Sequence, residues 1–243
     1  MNRDDNEGSR RSIGYSHSAA ETYDAVRFIE SGGQAIDSIE REVIDSLVGQ
    51  SPPNGLALDV GSGTGRFSMV VAEKGYRTVS LDGSFPMLTV HREKMLEGNG
   101  RLKCCLVQGN ALHLPFTDGC FDIVLSVRML NQLGSDSQRI GAIKEMVRVC
   151  KPGGKVALDL TNVASFGYLS GEFSHLTAVP RIKKELRGAF PQIRIIVRGR
   201  FFIPFSVFLI LDHRAMQWLA RADSLTSRIL GQFCTRVYLE IEK

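Results

Sequence analysis

An acidic residue followed by three alternating glycines is the stretch of this sequence best suited to do chemistry. Gly61, Gly63 and Gly65 fall at every second position, and Asp59 stands two residues before the first of them. Glycine tolerates positive φ and lets a ligand approach the backbone without Cβ atoms in the way. The pattern predicts a tight turn that can cradle a small polar molecule. The alternative is a sharp strand-to-helix connection that needs no ligand.

The flanking sequence supplies the elements that such a turn needs. The apolar run from Leu56 to Val60 is typical of a buried parallel strand, and residues 66–74 follow as a helix. Beyond it, strand-like and helix-like segments alternate, which indicates parallel strands joined by crossover helices. The further predicted strands are 77–81, 103–107, 121–126, 155–160, 193–198 and 235–242, and the further predicted helices are 84–96, 135–149, 180–190 and a segment beyond Phe205.

Two helices are expected ahead of the glycines. Residues 18–29 form the first, with Ser18 as its N-cap, Glu21 as the capping-box partner and Gly32-Gly33 as its end. Residues 34–48 form the second, because apolar side chains recur there near the helical period.

Length and composition bound the kind of protein. A chain of 243 residues suits one well-cored domain, and no stretch reaches the roughly 18 to 20 apolar residues of a membrane span. Five cysteines without a C-x-x-C pair predict a reducing, cytoplasmic setting and neither a disulfide framework nor a metal site. The net charge of +4 is compatible with RNA or with an anionic small molecule.

A second acidic residue stands where open α/β sheets bind ligands. Asp82 follows the predicted strand 77–81, and the carboxyl ends of parallel strands face the binding crevice. A carboxylate there can accept both hydroxyls of a ribose, whereas the alternative is a helix-capping acid. Asp82 therefore predicts a nucleoside without choosing which one.

Two later motifs narrow the choice. Asn110-Ala111-Leu112 follows the third strand, and residues 145–155 read E-M-V-R-V-C-K-P-G-G-K. With the glycines and Asp82, these motifs resemble those of class I S-adenosylmethionine (SAM) dependent methyltransferases, most like the type 11 group that includes quinone-biosynthesis enzymes. The sequence departs from that pattern where Asn110 replaces the usual Asp and Cys150 the usual Leu. The resemblance covers residues 20–160 well and the last 80 or so residues poorly.

The resemblance implies a fold, a cofactor and its contacts. The fold is α/β, with a Rossmann-like, seven-stranded, mostly parallel sheet, helices on both faces and an N-terminal helical cap. The cofactor is SAM, released as S-adenosyl-L-homocysteine (SAH), and no metal is expected. The implied cofactor contacts are Asp59, Gly61, Ser62, Gly63 and Gly65 at the methionine end; Asp82, Gly83 and Met87 at the ribose; Asn110, Ala111 and Leu112 at the adenine; Ser126, Val127 and Arg128 beside the methyl group; and Tyr23 with Arg27, of which Arg27 would pair with the methionine carboxylate.

The implied reaction is an in-line displacement of the SAM methyl group by an O, N, C or S nucleophile, for which positioning supplies much of the catalysis. Relatives often carry a His after strand four, where this sequence has Asn131-Gln132. The catalytic residues are therefore unknown. Four side chains could act as a general base, although each also suits a structural or exposed position: His17, His113, Tyr168 and His175.

The resemblance also divides the chain. We expect a disordered lead at 1–14 and one domain at 15–243, consisting of a helical cap (15–50), a cofactor-binding core (55–160) and substrate-side helices and closing strands (161–243). Acceptor specificity is expected outside the core, in segments rich in aromatic side chains: Phe166, Tyr168, Phe173, Phe201, Phe202, Phe205, Phe208 and Trp218. They predict either a pocket for an apolar or aromatic acceptor or a helix packed on the sheet.

A basic region accompanies these segments, at Arg181, Lys183, Lys184, Arg187, Arg194, Arg198 and Arg200. It fits an anionic acceptor, RNA or a solvated face. Three interpretations stay open: a small-molecule methyltransferase, a tRNA-modifying one (residues 138–154 are somewhat similar to a wobble-uridine methylating group), and a non-catalytic SAM-binding module. The G-x-G-x-G spacing disfavours a dehydrogenase, and the oligomeric state is left open.

Overall fold

A seven-stranded sheet organises the molecule, of which the computed structural model describes residues 16–28, 31–49, 54–97, 104–162, 178–200, 234 and 236–243. The strands are β1 (Leu56–Val60), β2 (Arg77–Asp82), β3 (Cys104–Gln108), β4 (Phe121–Ser126), β5 (Cys150–Thr161), β6 (Arg194–Arg200) and β7 (Arg236–Glu242). Their order is β3-β2-β1-β4-β5-β7-β6, and only β7 runs antiparallel to its neighbours. The predicted Rossmann-like α/β fold is confirmed.

Helices cover both faces of this sheet. They are α1 (His17–Glu21), α2 (Tyr23–Phe28), α3 (Ser31–Val48), α4 (Arg66–Glu73), α5 (Phe85–Glu97), α6 (Asp136–Val149) and α7 (Val179–Ala189), with a 3-10 turn at Leu130–Gln132. On one face, α6 and α7 share an apolar cluster with β4, β5 and β7. On the other face, α3 and α4 share a second cluster with β1 and β4. The two layers hold the carboxyl ends of β1, β2 and β4 in place.

Two predictions about the N-terminal helices are wrong. Ser16, not Ser18, is the N-cap: its backbone is extended and its side chain accepts the Ala19 N–H at 3.2 Å. Glu21 is therefore not the capping-box partner, and its carboxylate lies 3.2 Å from His17 Nε2. The glycine pair at 32–33 lies within the first turn of α3 instead of ending a helix, and Gly33 is buried there. Helix propensity is a weak preference that packing overrides.

The predicted turn at residues 151–154 is also wrong, because β5 begins at Cys150 and runs through it. The pairing with β4 shifts register between Phe121 and Ile123, so the extra residues form a bulge. Gly154 is required at this bulge, since a Cβ there would lie 2.8 Å from both the Asp122 carbonyl oxygen and Cys150 Sγ. The single helix predicted at residues 18–29 is divided at Thr22 into α1 and α2. The remaining predicted elements in the described ranges agree with the structure to within three residues at each end.

Several sequence expectations concern residues outside the described ranges, including the lead at 1–14 and the segment beyond Phe205. The division into cap, core and substrate side stays a prediction. In the described part of the chain, no helix has the length and apolar character to cross a membrane. None of the five cysteines is in a disulfide, and the described residues form no group of three His, Cys, Asp or Glu side chains that could hold a metal ion.

Candidate functional site

The glycine turn (residues 61–65) connects β1 to α4 at the carboxyl edge of the sheet. Gly61, Gly63 and Gly65 all have positive φ, at 74°, 55° and 85°. A Cβ at Gly61 would lie 2.2 Å from Met129 Cγ, and one at Gly65 would lie 2.2 Å from His91 Cδ2, but a Cβ at Gly63 would meet no atom of the described residues within 4 Å. A side chain at the first or last glycine would therefore clash with Met129 or His91, while Gly63 faces open space that a ligand can enter.

Asp82, at the end of β2, is oriented towards this turn by backbone groups. Its Oδ2 accepts the Gly63 N–H and its Oδ1 accepts the Ser84 N–H, both at 2.8 Å. Burial raises the pKa of Asp82, although these hydrogen bonds oppose the rise. A carboxylate offers about four lone-pair directions, so acceptor capacity remains for the hydroxyls of a ribose.

Asp59 and Ser126 support the turn from beneath. Asp59 is buried in β1, accepts the Ser68 hydroxyl at 2.6 Å, and has its pKa raised by burial to about 7. Ser126 donates its hydroxyl to the Val60 carbonyl at 2.9 Å and so joins the ends of β1 and β4. Both side chains act on the scaffold of the turn through these bonds.

Asn110 shapes the segment after β3, where the resemblance implied the adenine. Its Oδ1 accepts the Leu112 N–H at 2.9 Å, and its carbonyl accepts the His113 N–H at 3.0 Å. The amide thus closes a turn on its own backbone, as an Asp at this position also could.

Arg148 fastens the chain that follows this turn and gives the E-x-x-R motif a structural meaning. Its guanidinium donates to the carbonyls of Phe116 and Leu114 at 2.8 and 3.1 Å and pairs with Glu145 at 2.7 Å. Glu145 in turn accepts the Leu114 N–H at 2.9 Å. Glu145 and Arg148 together therefore hold the backbone of residues 114–116, which we call the clamp.

Replacing Arg148 with Gln is expected to lower the free energy of unfolding by about 1–3 kcal/mol, because glutamine cannot serve both carbonyls and the carboxylate. Urea unfolding measures this loss, and hydrogen exchange at the Leu114 amide should accelerate in the same variant. Arg92→Gln, at an exposed position of α5, is the control and should change neither quantity. Unaltered stability and exchange in Arg148→Gln would contradict the clamp.

The cap helices α1–α3 attach to the glycine turn at Asp24. The Thr64 hydroxyl donates to Asp24 Oδ1 at 2.9 Å, and Lys94 of α5 pairs with the other carboxylate oxygen. Tyr23 packs beside Met87 in a small cluster that joins the cap to α5. The Arg27 side chain lies outside the described part of the structure.

A buried ion-pair network, not foreseen from the sequence, joins the cap to the ends of β1 and β4. Glu40 of α3 is fully buried; its Oε2 accepts Arg66 Nη2 at 2.6 Å and its Oε1 accepts Arg128 Nε at 2.8 Å. Burial opposes ionisation of Glu40, but the guanidinium groups of Arg128 and Arg66 hold its pKa below the usual range. In the sequence, only the position of Glu40 among the apolar residues of the predicted helix 34–48 indicated that its carboxylate could be buried.

His91 lies against the last glycine of the turn. It is fully buried, and neither ring nitrogen has a hydrogen-bond partner among the described residues. Burial lowers the pKa of His91 to about 4, and the charge of Lys94 adds to the effect. The ring is therefore neutral near pH 7.

Acid should destabilise the protein through His91. Because its pKa is about 4 in the folded state and about 6.5 when unfolded, the unfolded chain binds the proton first, and stability present above pH 6.5 is lost as the pH falls towards 4. Between pH 7.5 and pH 4.5, His91 is expected to lower the free energy of unfolding by about 3 kcal/mol. Urea unfolding at both pH values measures it, because wild type should lose that much more stability than His91→Leu. An identical loss in both proteins would contradict this assignment.

Most of the predicted contact residues in the described ranges lie near the carboxyl ends of β1 to β4. Gly83 is exposed beside Asp82, Val127 is buried after β4, and the Ser62 N–H donates to the Leu81 carbonyl at 3.1 Å. The open space beside Gly63 and the oriented carboxylate of Asp82 fit a nucleoside with a short polar chain. Of the candidate bases, His17 pairs with Glu21 on the surface and His113 is exposed, while residues 168 and 175 lie outside the described ranges.

Comparison with known proteins agrees with this geometry. The family model of the methyltransferase domain matches residues 58–158. The ubiquinone/menaquinone biosynthesis C-methyltransferase of Vibrio cholerae is 35% identical over 145 residues, which are 58% of this chain and 53% of that protein. The cypemycin N-terminal methyltransferase of a Streptomyces species is 31% identical over 232 residues, 92% of this chain and 88% of that protein.

Solved structures show the same fold. Phosphoethanolamine N-methyltransferase 2 of Haemonchus contortus, in complex with S-adenosyl-L-methionine, has a TM-score of 0.62 and 17% identity over 94% of this chain and 57% of that one. The chain spans about half the length of the quinone-biosynthesis relatives and most of the cypemycin relative. The chain belongs to the class I SAM-dependent methyltransferases of the type 11 group, and SAM is its cofactor.

Proposed function

We propose that this methyltransferase methylates an amine nitrogen, in a small molecule or at the amino terminus of a short peptide. The observation that carries the proposal is the extent of similarity. The cypemycin N-terminal methyltransferase matches 92% of this chain, including segments outside the core, whereas the quinone-biosynthesis relatives match 51% to 62% of it. Acceptor specificity is expected in those outer segments.

The end of β4 supports the same choice of acceptor. Bound SAM supplies an electrophilic methyl group on a sulfonium, which a neutral amine attacks without help from a strong base. Asn131 and Gln132 lie near the place where the family resemblance implies a His, and Asn131 Oδ1 accepts the Thr161 N–H at 3.2 Å, which ties β5 to the turn after β4. An acceptor that needs no imidazole base fits this arrangement better than a phenol or a ring carbon.

Each site residue has a role under this proposal. The glycine turn admits the methionine part of the cofactor at Gly63, and Asp82 accepts hydrogen bonds from the ribose hydroxyls. The turn after β3, closed by Asn110, borders the adenine. The residues at the end of β4, from Ser126 to Arg128, form the floor beneath the methyl group and align it with the incoming nitrogen.

Methyl transfer from isotopically labelled SAM, followed by mass spectrometry, tests the proposed acceptor class. The panel contains small amines, peptides with free or acetylated amino termini, phenols, hydroquinones and tRNA. We expect labelled product from free amines and free amino termini but not from acetylated peptides. Product from phenols, hydroquinones or tRNA alone would contradict the proposal.

The charge distribution gives tRNA less support than the sequence suggested. Three members of the basic region are paired with acids: Arg194 with Glu242 at 3.4 Å, Arg198 with Glu240 at 2.9 Å, and Arg181 with Asp136 at 3.6 Å. Paired cations release fewer counterions on binding phosphates. The aromatic pocket for an apolar acceptor stays a prediction, because its residues lie outside the described ranges.

A further inference from the structure

Arg128 leaves the end of β4 in an unusual backbone conformation, directly beside the glycine turn. Its φ is 64°, a left-handed value that non-glycine residues seldom adopt and that clusters at functional sites. The next residue, Met129, lies against Gly61, where a Cβ would be 2.2 Å from Met129 Cγ. The Arg128 side chain therefore begins at the part of the turn proposed to hold the methionine end of the cofactor.

The guanidinium of Arg128 is held in place by Glu40, but one of its nitrogens has no hydrogen-bond acceptor among the described residues. Its Nε donates to Glu40 Oε1 at 2.8 Å, and the Arg128 backbone N–H donates to Asp159 Oδ1 at 2.5 Å. Its Nη2 is buried and has no hydrogen-bond partner among the described residues. A buried donor on a permanently charged group is costly when unpaired, so this nitrogen requires an acceptor, and a negatively charged acceptor suits it best.

Three guanidinium groups and three carboxylates meet around Arg128. Three guanidinium groups, those of Arg66, Arg128 and Arg236, face the carboxylates of Glu40 and Asp159. A third carboxylate, that of Asp37, is shared between Arg66 and the more exposed Arg41. Burial and the nearby charge of Arg128 lower the pKa of Arg236 to about 10, as expected where cations repel one another.

We propose that Arg128 receives the carboxylate of the cofactor's methionine, and that Glu40 is the positioning residue that holds its guanidinium. A guanidinium fork matches a carboxylate in shape and charge, and Glu40 fixes the plane of that fork through Nε. Arg66 pairs with the same Glu40 carboxylate and so connects this arrangement to the start of α4. The assignment differs from the sequence expectation that Arg27 pairs with the carboxylate, and it holds whatever the acceptor is.

Calorimetric titration with SAH and with S-adenosyl-3-thiopropylamine, which is SAH without its carboxyl group, tests the proposal. We expect Arg128→Gln to weaken SAH binding by roughly 10- to 100-fold while its affinity for the analogue stays within about twofold of wild type. Glu40→Gln should weaken SAH selectively but less, and Glu40→Asp should recover part of that loss. Arg92→Gln is the matched control on the surface and should bind both compounds like wild type.

Three outcomes would overturn the proposal. Equal losses for both compounds in Arg128→Gln would make Arg128 part of the scaffold only, and a selective loss in Arg27→Gln with none in Arg128→Gln would make Arg27 the receptor. If Arg128→Gln binds neither compound because it does not fold, Arg128→Lys decides, since it keeps the charge near Glu40 but lacks Nη2. Selective loss of SAH in that variant supports the proposal, and unchanged discrimination overturns it.

Discussion

Asp82→Ala is expected to weaken SAM and SAH binding by about 100-fold or more while leaving the protein folded. The wild-type carboxylate is oriented by the N–H groups of Gly63 and Ser84 and has lone pairs left for two ribose hydroxyls. Each hydrogen bond to a charged acceptor contributes about 1.5–3 kcal/mol, so losing both costs about 3–5 kcal/mol of binding free energy. Isothermal titration calorimetry measures the change.

Two further variants make the Asp82 experiment specific. Asp82→Asn keeps one acceptor oxygen and should lose only about tenfold in affinity. Asp118→Ala removes an exposed carboxylate that pairs with Arg148 away from the proposed site, and should bind SAM like wild type. Wild-type affinity in Asp82→Ala would remove Asp82 from the cofactor site, and a preference of the wild-type protein for NAD over SAM would contradict the assignment of the site.

Gly65→Ala is expected to lower the free energy of unfolding by about 3 kcal/mol or more. The φ of 85° places any other residue in the left-handed region, which costs roughly 1–2 kcal/mol. The new Cβ would also lie 2.2 Å from the ring of His91, which is fully buried and cannot move aside; such overpacking adds about 1–3 kcal/mol. Urea unfolding at pH 7.5 measures the sum.

Gly75→Ala separates the two contributions. Gly75 has a similar φ of 93°, but its Cβ would meet no atom of the described residues within 4 Å, so only the backbone cost of roughly 1–2 kcal/mol is expected. Adding His91→Ala to Gly65→Ala should recover part of the stability by removing the ring. Equal losses in the two glycine variants, with no recovery in the double variant, would contradict the close packing at Gly65.

The parts of the fold that follow from local sequence were predicted well. The bounds predicted for β1 and β4 agree with the structure, because each is a short apolar run between clear turn signals. The start of β5 was missed by five residues, because the bulge at 151–154 depends on its pairing with β4, which no local pattern shows. The N-cap was misplaced because Ser16 and Ser18 are both good capping residues, and Ser18 lies inside the helix that Ser16 caps.

Some residues of the candidate site could be predicted from the sequence, whereas others are brought together only by the fold. The glycine turn and Asp82 lie close together in sequence and carry a recognisable spacing, so their proximity was expected. Glu40 lies 26 residues from Arg66 and 88 residues from Arg128, and only the folded sheet brings them together. Arg148 was visible as part of a motif, but its bond to the Phe116 carbonyl spans 32 residues and needed the structure.

A crystal structure of the protein with SAH would test the account most directly. We expect the ribose hydroxyls on Asp82, the homocysteine chain beside Gly63 and its carboxylate within hydrogen-bond distance of Arg128. SAH bound away from the carboxyl ends of β1 and β2, or with its ribose out of reach of Asp82, would contradict the assignment of the cofactor site.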